Sequence, residues 1–535
     1  MKKIILIGLF IAIVLLGGFL RFYKLGAVPN SMDWDEVSWG YNAYSVLLTG
    51  KDEYGQFLPL SFKAFGDYKQ PVYVYSELLP IQLFGLNAFS VRFPSALFGT
   101  ASIPFVFLLV YELFRKKKYG IPAAFLSMLF FAISPWHIQF SRVAFESILG
   151  LFFVLVGVWV FLRGLRLQKP WYFFAAALVL AISAYSYHAQ KLFTPLFVVG
   201  LVIFAKDYFL KHKKLFIAFG VCFVLFNSLW LLDARTTARG KSVLFTSEQT
   251  QLLKIPLIES NQDVQNGQKL FSVMHNRRII YMEKFLSNYL NHFNLNWLFI
   301  EGDLARHHAP DFGLLYIISL PFILLGAYFL ISNEQTNVLL LGYWFMLAPV
   351  SGALVTGAPN AERALIMLPI WQIMEAFGFI QLARLFKKKI FIAMLAVVTA
   401  IDLFLFMLYT HQYFMHTNTD YDRYWQYGYQ QAIDYVSQPQ FADKKVYFDQ
   451  SIEQGYVFYL FYKQVDPKTY LAGGGSNRLQ QPCYSIGTAY FGNCPIGEKG
   501  DIFVTAKLVG TSSFHLIKTI PYYLGDPAVY IYQLQ

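Results

Sequence analysis

The run "IILIGLFIAIVLLGGFL" (Ile4–Leu20) decides the class of this protein. It carries no charge, and as a helix it is long enough to cross a ~30 Å hydrocarbon core. Lys2 and Lys3 precede it, and Arg21 and Lys24 follow it. Apolar runs of similar length recur as far as residue 410. The chain of 535 residues is 56% hydrophobic and 14% charged, where a soluble domain carries ~25% charged residues. These features predict a polytopic α-helical membrane protein. Its 19% aromatic content suits interfacial belts at the lipid headgroups. The first run has no small-x-small cleavage site behind it, so it reads as a retained helix and not as a signal peptide.

Apolar length and charged flanks place about eleven transmembrane helices, near 4–20, 91–113, 121–134, 147–162, 171–187, 192–209, 215–232, 313–331, 337–355, 364–383 and 390–410. The net charge of +12 is not spread as a nucleic-acid groove would be. It gathers in short hops between apolar runs: "RKKK" (Arg115–Lys118), "RGLRLQK" (Arg163–Lys169), "KHKK" (Lys211–Lys214) and "RLFKKK" (Arg384–Lys389). With the N-terminus inside, every one of these hops falls on the cytoplasmic side, as the positive-inside rule requires. No nucleic-acid partner is expected. The expected location is the cell membrane, multi-pass.

That orientation puts the informative sequence outside. A first outer loop, 21–90, holds "DWDEVSWG" (Asp33–Gly40) and "LPLSFKAFGDYKQPVYVYSELLPIQLFG". The second of these stretches suggests helices lying in the membrane interface. A second outer loop, 233–312, contains the amphipathic pattern "KLFSVMHNRRIIYMEKFLSNYLNHF" and closes on "EGDLARHHAPDFG". From residue 411 the pattern changes. "YDRYWQYGYQQAIDYV" and "GYVFYLFYKQ" read as helices, and "KKVYFDQ", "DIFVTAKLV", "SFHLIKTI" and "AVYIYQLQ" read as strands. The division expected is therefore 1–410 as a membrane domain and 411–535 as a small extracytoplasmic α/β domain. Cys222 lies in an apolar run. Cys483 and Cys494, close together in the polar tail, are disulfide candidates if the tail is extracytoplasmic.

Asp35 and Glu36 stand just outside the first helix between Trp34 and Trp39. They read either as caps of an interfacial helix or as a poorly hydrated carboxylate placed to take a proton from an attacking hydroxyl. Lys69, beside Tyr68 in "DYKQPVYVY", either snorkels to headgroups or holds a phosphate as a point charge. Arg92, Arg142, Lys191 beside His188, Arg306 beside His307 and His308, and Arg363 all mark outer helix ends, and together they suggest convergence on an anion. Glu301, Asp303 and the two adjacent histidines leave a divalent metal open, although neighbouring histidines on a helix face different ways. Glu375 and Asp402 lie within apolar runs, where acids are functional candidates.

Five stretches in order resemble the GT-C glycosyltransferases, above all the bacterial relatives of protein O-mannosyltransferases and of the aminoarabinose transferase acting on lipid A. They are "WDEVSWGYNAYSVLLTGKDEYGQFLPL", "KQPVYVY", "FSVRFPSALFG", "EGDLARHHAPDFGLLY" and "LVTGAPNAERALIMLP". The resemblance covers residues 1–410. It implies the GT-C fold, a polyprenyl-phosphate sugar donor and a site facing away from the cytoplasm. It also implies a catalytic role for Asp35 with Glu36 beside it, and a phosphate contact for Lys69. Here Gln70 stands where the family has the first proline of Lys-Pro-Pro. The acceptor stays open among glycan, lipid and protein. The β-trefoil insert of the protein mannosyltransferases has no counterpart. A flippase or transporter is the rival from another class, and a surface-glycan ligase or polymerase is the rival among enzymes. No internal repeat supports the transporter.

Overall fold

The computed structural model describes residues 2–232, 244–248, 252–268, 270–495, 497–510 and 512–535. Parts of the second outer loop, 233–243 and 249–251, lie outside the described residues. Among the described residues, six helices are long and apolar enough to cross a membrane, α1 (Lys2–Phe22) and α4 (Ala88–Phe114) among them. Five shorter apolar helices accompany them: Gly120–Ile133, Trp171–Ser186, Gln190–Phe204, Ser319–Asn333 and Asn337–Ala353. Each segment expected to be a transmembrane helix is helical over most of its length, and prolines account for two altered boundaries. The expected helix 313–331 starts at Ser319, because Pro321 lacks an N–H and is accommodated in a first turn. The expected helix 337–355 pauses at Pro349, between Gln335–Leu347 and Val350–Ala353.

By contact density the chain forms two units. The first comprises 1–20, 98–140 and 145–406. In it, Ser319–Asn333 packs closely against Leu368–Leu385. Glycine makes that approach possible, since a Cβ on Gly326 would lie 1.7 Å from the Met374 carbonyl oxygen. Phe322 stacks on Phe379 at 4.1 Å between ring centroids in the same seam.

The second unit comprises 21–97, 141–144 and 407–535. The first outer loop belongs with the tail in this unit. The reason is the surface of α2 (Trp34–Thr49), which buries Val37, Trp39, Gly40, Tyr41 and Ala43 together. A Cβ on Gly40 would lie 2.6 Å from Val91 and 2.7 Å from Phe461. The Tyr41 hydroxyl donates to the Val465 carbonyl at 3.1 Å.

The stretch expected as interfacial helices is instead a hairpin, β1 (Phe62–Ala64) and β2 (Asp67–Lys69), followed by α3 (Pro71–Phe84). Phe65 and Gly66, with φ of 53° and 79°, form the two-residue turn, the twist-compatible type with both φ positive. The tail folds as a six-stranded sheet of order β4-β5-β3-β6-β8-β7. These strands are β3 (Val446–Phe448), β4 (Cys483–Ile486), β5 (Ala489–Gly492), β6 (Ile502–Thr505), β7 (Phe514–Pro521) and β8 (Pro527–Leu534). β3 runs parallel to both β5 and β6, and the other pairs are antiparallel. The β4–β5 hairpin was not expected, and it carries the Cys483–Cys494 disulfide. The expected helix in "YDRYWQYGYQQAIDYV" breaks where Gln426 and Gly428 take positive φ, leaving Tyr429–Val436.

Candidate active site

Asp33 caps α2. It accepts from the Glu36 N–H at 2.9 Å, and the Glu36 carboxylate reaches back to the Asp33 N–H at 3.3 Å. This capping box fixes Asp35 in the first turn, where the helix dipole favours a carboxylate. Asp35 and Glu36 then part company. The Glu36 side chain is fully buried, and Arg92 Nε and Nη2 donate to its two oxygens at 2.7 and 2.8 Å. The Ala144 N–H donates to it as well, at 3.1 Å.

Asp35 stays about one-third exposed, 2.7 Å from the ammonium of Lys69, which is 7% exposed. That ammonium also sits over the Trp39 and Phe65 rings, 4.4 and 5.0 Å from their centroids. The hairpin delivers Lys69 from the end of β2, and Pro71 at the first position of α3 stops the strand there. Trp34 and Tyr68 are half-buried beside the pair in sequence.

Arg92, expected to face the donor phosphate, is consumed by the fold. Besides Glu36 it donates to the carbonyls of Leu25, Pro29 and Ser31 at 3.3, 2.6 and 2.6 Å. It is completely buried, so its five N–H donors are spent inside the unit. Arg142 does the same work on the carbonyls of Arg21, Lys24 and Val28, with Tyr413 and Phe414 over its guanidinium. The two arginines strap residues 21–31, the connection that leads into α2.

Glu53 and Glu77 escaped the sequence reading. Glu53 is buried, accepts from Asn42 Nδ2 at 3.0 Å and Ser476 Oγ at 2.6 Å, and is pushed up to about 7 by burial. Glu77 is buried with no hydrogen-bond partner for either carboxylate oxygen among the described residues. Burial raises it well above the carboxylate range, while the Lys69 charge opposes the shift.

In the other unit, Asp303 accepts from His307 Nδ1 at 2.9 Å and from the Ala361 N–H at 2.6 Å. Burial raises that carboxyl, but His307 and the backbone donors outweigh burial and hold it below its usual range. His307 packs against Phe140 and Phe145. Arg363 donates to the Thr356 carbonyl at 3.3 Å, and Arg306 accepts from Gln139 through its own carbonyl. His188 is half-buried in the turn between the helices Trp171–Ser186 and Gln190–Phe204. Among the described residues, no three His, Cys, Asp or Glu side chains converge as a metal site.

Residues 69–230 match the family model described as dolichyl-phosphate-mannose-protein mannosyltransferase. A Bacillus subtilis (strain 168) protein described as "Putative mannosyltransferase YkcB" is 26% identical over 175 residues, 32% of this chain. The chain spans 22% of that relative's length. Among solved structures, ArnT from Cupriavidus metallidurans in its apo state aligns over 100% of this chain and 98% of its own, with a TM-score of 0.56 and 11% identity. The same protein bound to undecaprenyl phosphate gives 0.57 and 12% identity, over 98% of this chain and 97% of its own. The oligosaccharyltransferase AglB from Archaeoglobus fulgidus, with an inhibitory peptide and a dolichol-phosphate, gives 0.50 and 14% identity. That alignment spans 86% of this chain and 64% of AglB. Residues 69–230 are thus similar to the mannosyltransferase family, and the end-to-end likeness to ArnT shows that the chain has the GT-C fold.

Proposed function

We propose that the protein is a membrane glycosyltransferase that moves a sugar from a polyprenyl-phosphate donor to an acceptor hydroxyl, with inversion, on the extracytoplasmic side. The observation that carries this reading is the Asp35–Lys69 pair, with an accessible carboxylate beside a buried ammonium at 2.7 Å. Support comes from the family match, which begins at Lys69, and from the polyprenyl phosphates bound to ArnT and AglB. Asp35 takes the proton of the acceptor hydroxyl as its oxygen attacks the anomeric carbon. The bond from that carbon to the phosphate oxygen breaks, and the polyprenyl phosphate leaves with the electron pair. Lys69 supplies positive charge where the leaving phosphate gains negative charge. A phosphate arriving at Lys69 gives the ammonium a second anion and loosens its hold on Asp35. Donor binding would thereby free the base.

Glu36 and Arg92 act on this step through position, by fixing the first turn of α2. Asp35→Asn keeps size and hydrogen bonding, so the protein is expected to fold, retain polyprenyl phosphate and lose transfer by roughly 10²–10⁴-fold. Wild-type transfer by folded Asp35→Asn would move the base elsewhere.

A further inference from the structure

A cavity of about 530 Å³ opens within the second unit, between the β1–β2 turn and the tail sheet. Tyr54, Phe65, Asp449, Gln450, Tyr456 and Tyr484 are among the residues that line it. Its volume lies within the ~300–1,000 Å³ of small-ligand sites.

Its place in the sheet is informative. β5, β3 and β6 are mutually parallel, with β3 in the middle. The chain leaves β3 for a neighbour on one side and then crosses to a neighbour on the other. Asp449 and Gln450 follow β3 directly, and Gly492 ends β5. The cavity therefore lies at the carboxyl ends of parallel strands where the strand order reverses, the location at which open α/β sheets bind ligands.

The turn adds an independent observation. Phe65 holds φ 53°, a conformation costly for a bulky residue and easy for Asn or Gly. That backbone sets the Phe65 ring 6.5 Å from the Tyr456 ring and 5.0 Å from the Lys69 ammonium, measured from the Phe65 centroid. One side chain thus belongs both to the cavity wall and to the surroundings of the Asp35–Lys69 pair.

We propose that this cavity is the acceptor subsite and that it takes the end of an uncharged oligosaccharide. Flat aromatic walls suit the C–H faces of sugar rings. Asp449 is held ionised because hydrogen bonds from Ser451 and Thr505 outweigh burial. With Gln450, Gln454 and Gln480 it offers the acceptors and donors that hydroxyls need. Lys63, over the Tyr54 ring at 4.8 Å, and Asp449 both line the cavity, so its lining carries one charge of each sign and suits an uncharged ligand. The inference rests on the transferase reading, since it assigns the acceptor of that same site.

The test uses full-length protein in nanodiscs, applied to a printed array of neutral and anionic oligosaccharides, with undecaprenyl phosphate titrated in parallel. Wild-type protein should retain neutral oligosaccharides. Phe65→Asn and Gln450→Ala should each weaken that retention about tenfold or more, with undecaprenyl phosphate binding unchanged in Gln450→Ala, which lies away from Lys69. Phe65→Asn relieves the turn, so its melting temperature should hold or rise, which separates lost binding from lost folding. Undecaprenyl phosphate binding without neutral-glycan retention, or equal retention by both variants, overturns the subsite and leaves the transferase reading standing. Neutral-glycan retention without undecaprenyl phosphate binding supports the subsite and removes the donor assignment. Loss of both overturns both.

Discussion

Lys69 is buried and paired with Asp35, and a Lys in that setting is held by what it pairs with. Lys69→Met keeps the length of the stem while removing the charge. A charge-assisted contact to phosphate contributes roughly 1.5–3 kcal/mol, so donor use should fall about 10- to 150-fold, read as a raised donor KM at near-wild-type stability. Unchanged donor KM would place the phosphate elsewhere. Glu53 gives a pH signature instead. Its folded value near 7 lies above the ordinary 4.5 because burial favours the neutral acid. Between those values the unfolded chain has released the proton that the folded chain keeps, so stability is fullest below about 4.5 and falls as pH rises to about 7. The melting temperature of wild type should therefore drop from pH 5 to pH 8 by more than that of Glu53→Gln, and parallel profiles would refute this. Asp35 and Lys69 were legible as candidates because position relative to the first apolar run marks them. Glu53 was not, since "KDEYGQ" reads as a solvated turn and its partner Ser476 lies 423 residues away. The partners of Arg92 were hidden for the same reason: its contacts to residues 25–36 are tertiary, and sequence shows only a cation at a helix end.

At the scale of elements, the first turn of α2 is held from behind by two arginine straps. Arg92→Met would leave Glu36 as an uncompensated buried charge and three carbonyls without donors. That change should cost about 3–5 kcal/mol, and a double change, Glu36→Gln with Arg92→Met, should recover part of the loss. Thermal unfolding of both proteins measures it; a double variant no better than the single one would mean that the carbonyl contacts dominate. Gly40→Ala, which forces a Cβ against Val91 and Phe461, should cost about 1–3 kcal/mol by overpacking. The apolar helices were legible because length and charge flanks alone define them. The β1–β2 hairpin was not, because Phe occupies a turn position where Asn or Asp would have signalled the turn. The β4–β5 hairpin was missed because "CYSIGTAYFG" is short and is stapled by its own disulfide.

For the whole molecule, the second unit is assembled from three separate stretches of chain, 21–97, 141–144 and 407–535, and this organisation governs its stability. A boundary at 410 reads naturally from composition, because composition changes there, whereas the contacts that join the tail to the first loop leave no local trace. Cys483–Cys494 closes a short loop, worth about 2–3 kcal/mol by chain entropy, so free thiols in protein purified without reductant would contradict the extracytoplasmic tail. The stronger consequence concerns truncation. Ending the chain at Asp420 would remove Phe461 from Gly40, the Val465 carbonyl from Tyr41 and Ser476 from the buried Glu53. Six candidate membrane-spanning helices would remain nearly whole, so such a protein should still insert in the membrane. Its first loop should nevertheless lose its packing. Limited proteolysis should cut between residues 50 and 70 in the truncated protein while sparing the full chain, and undecaprenyl phosphate binding through Lys69 should weaken with it. A truncated protein that keeps that loop protected and still binds the lipid phosphate would show that 411–535 folds as an independent appendage.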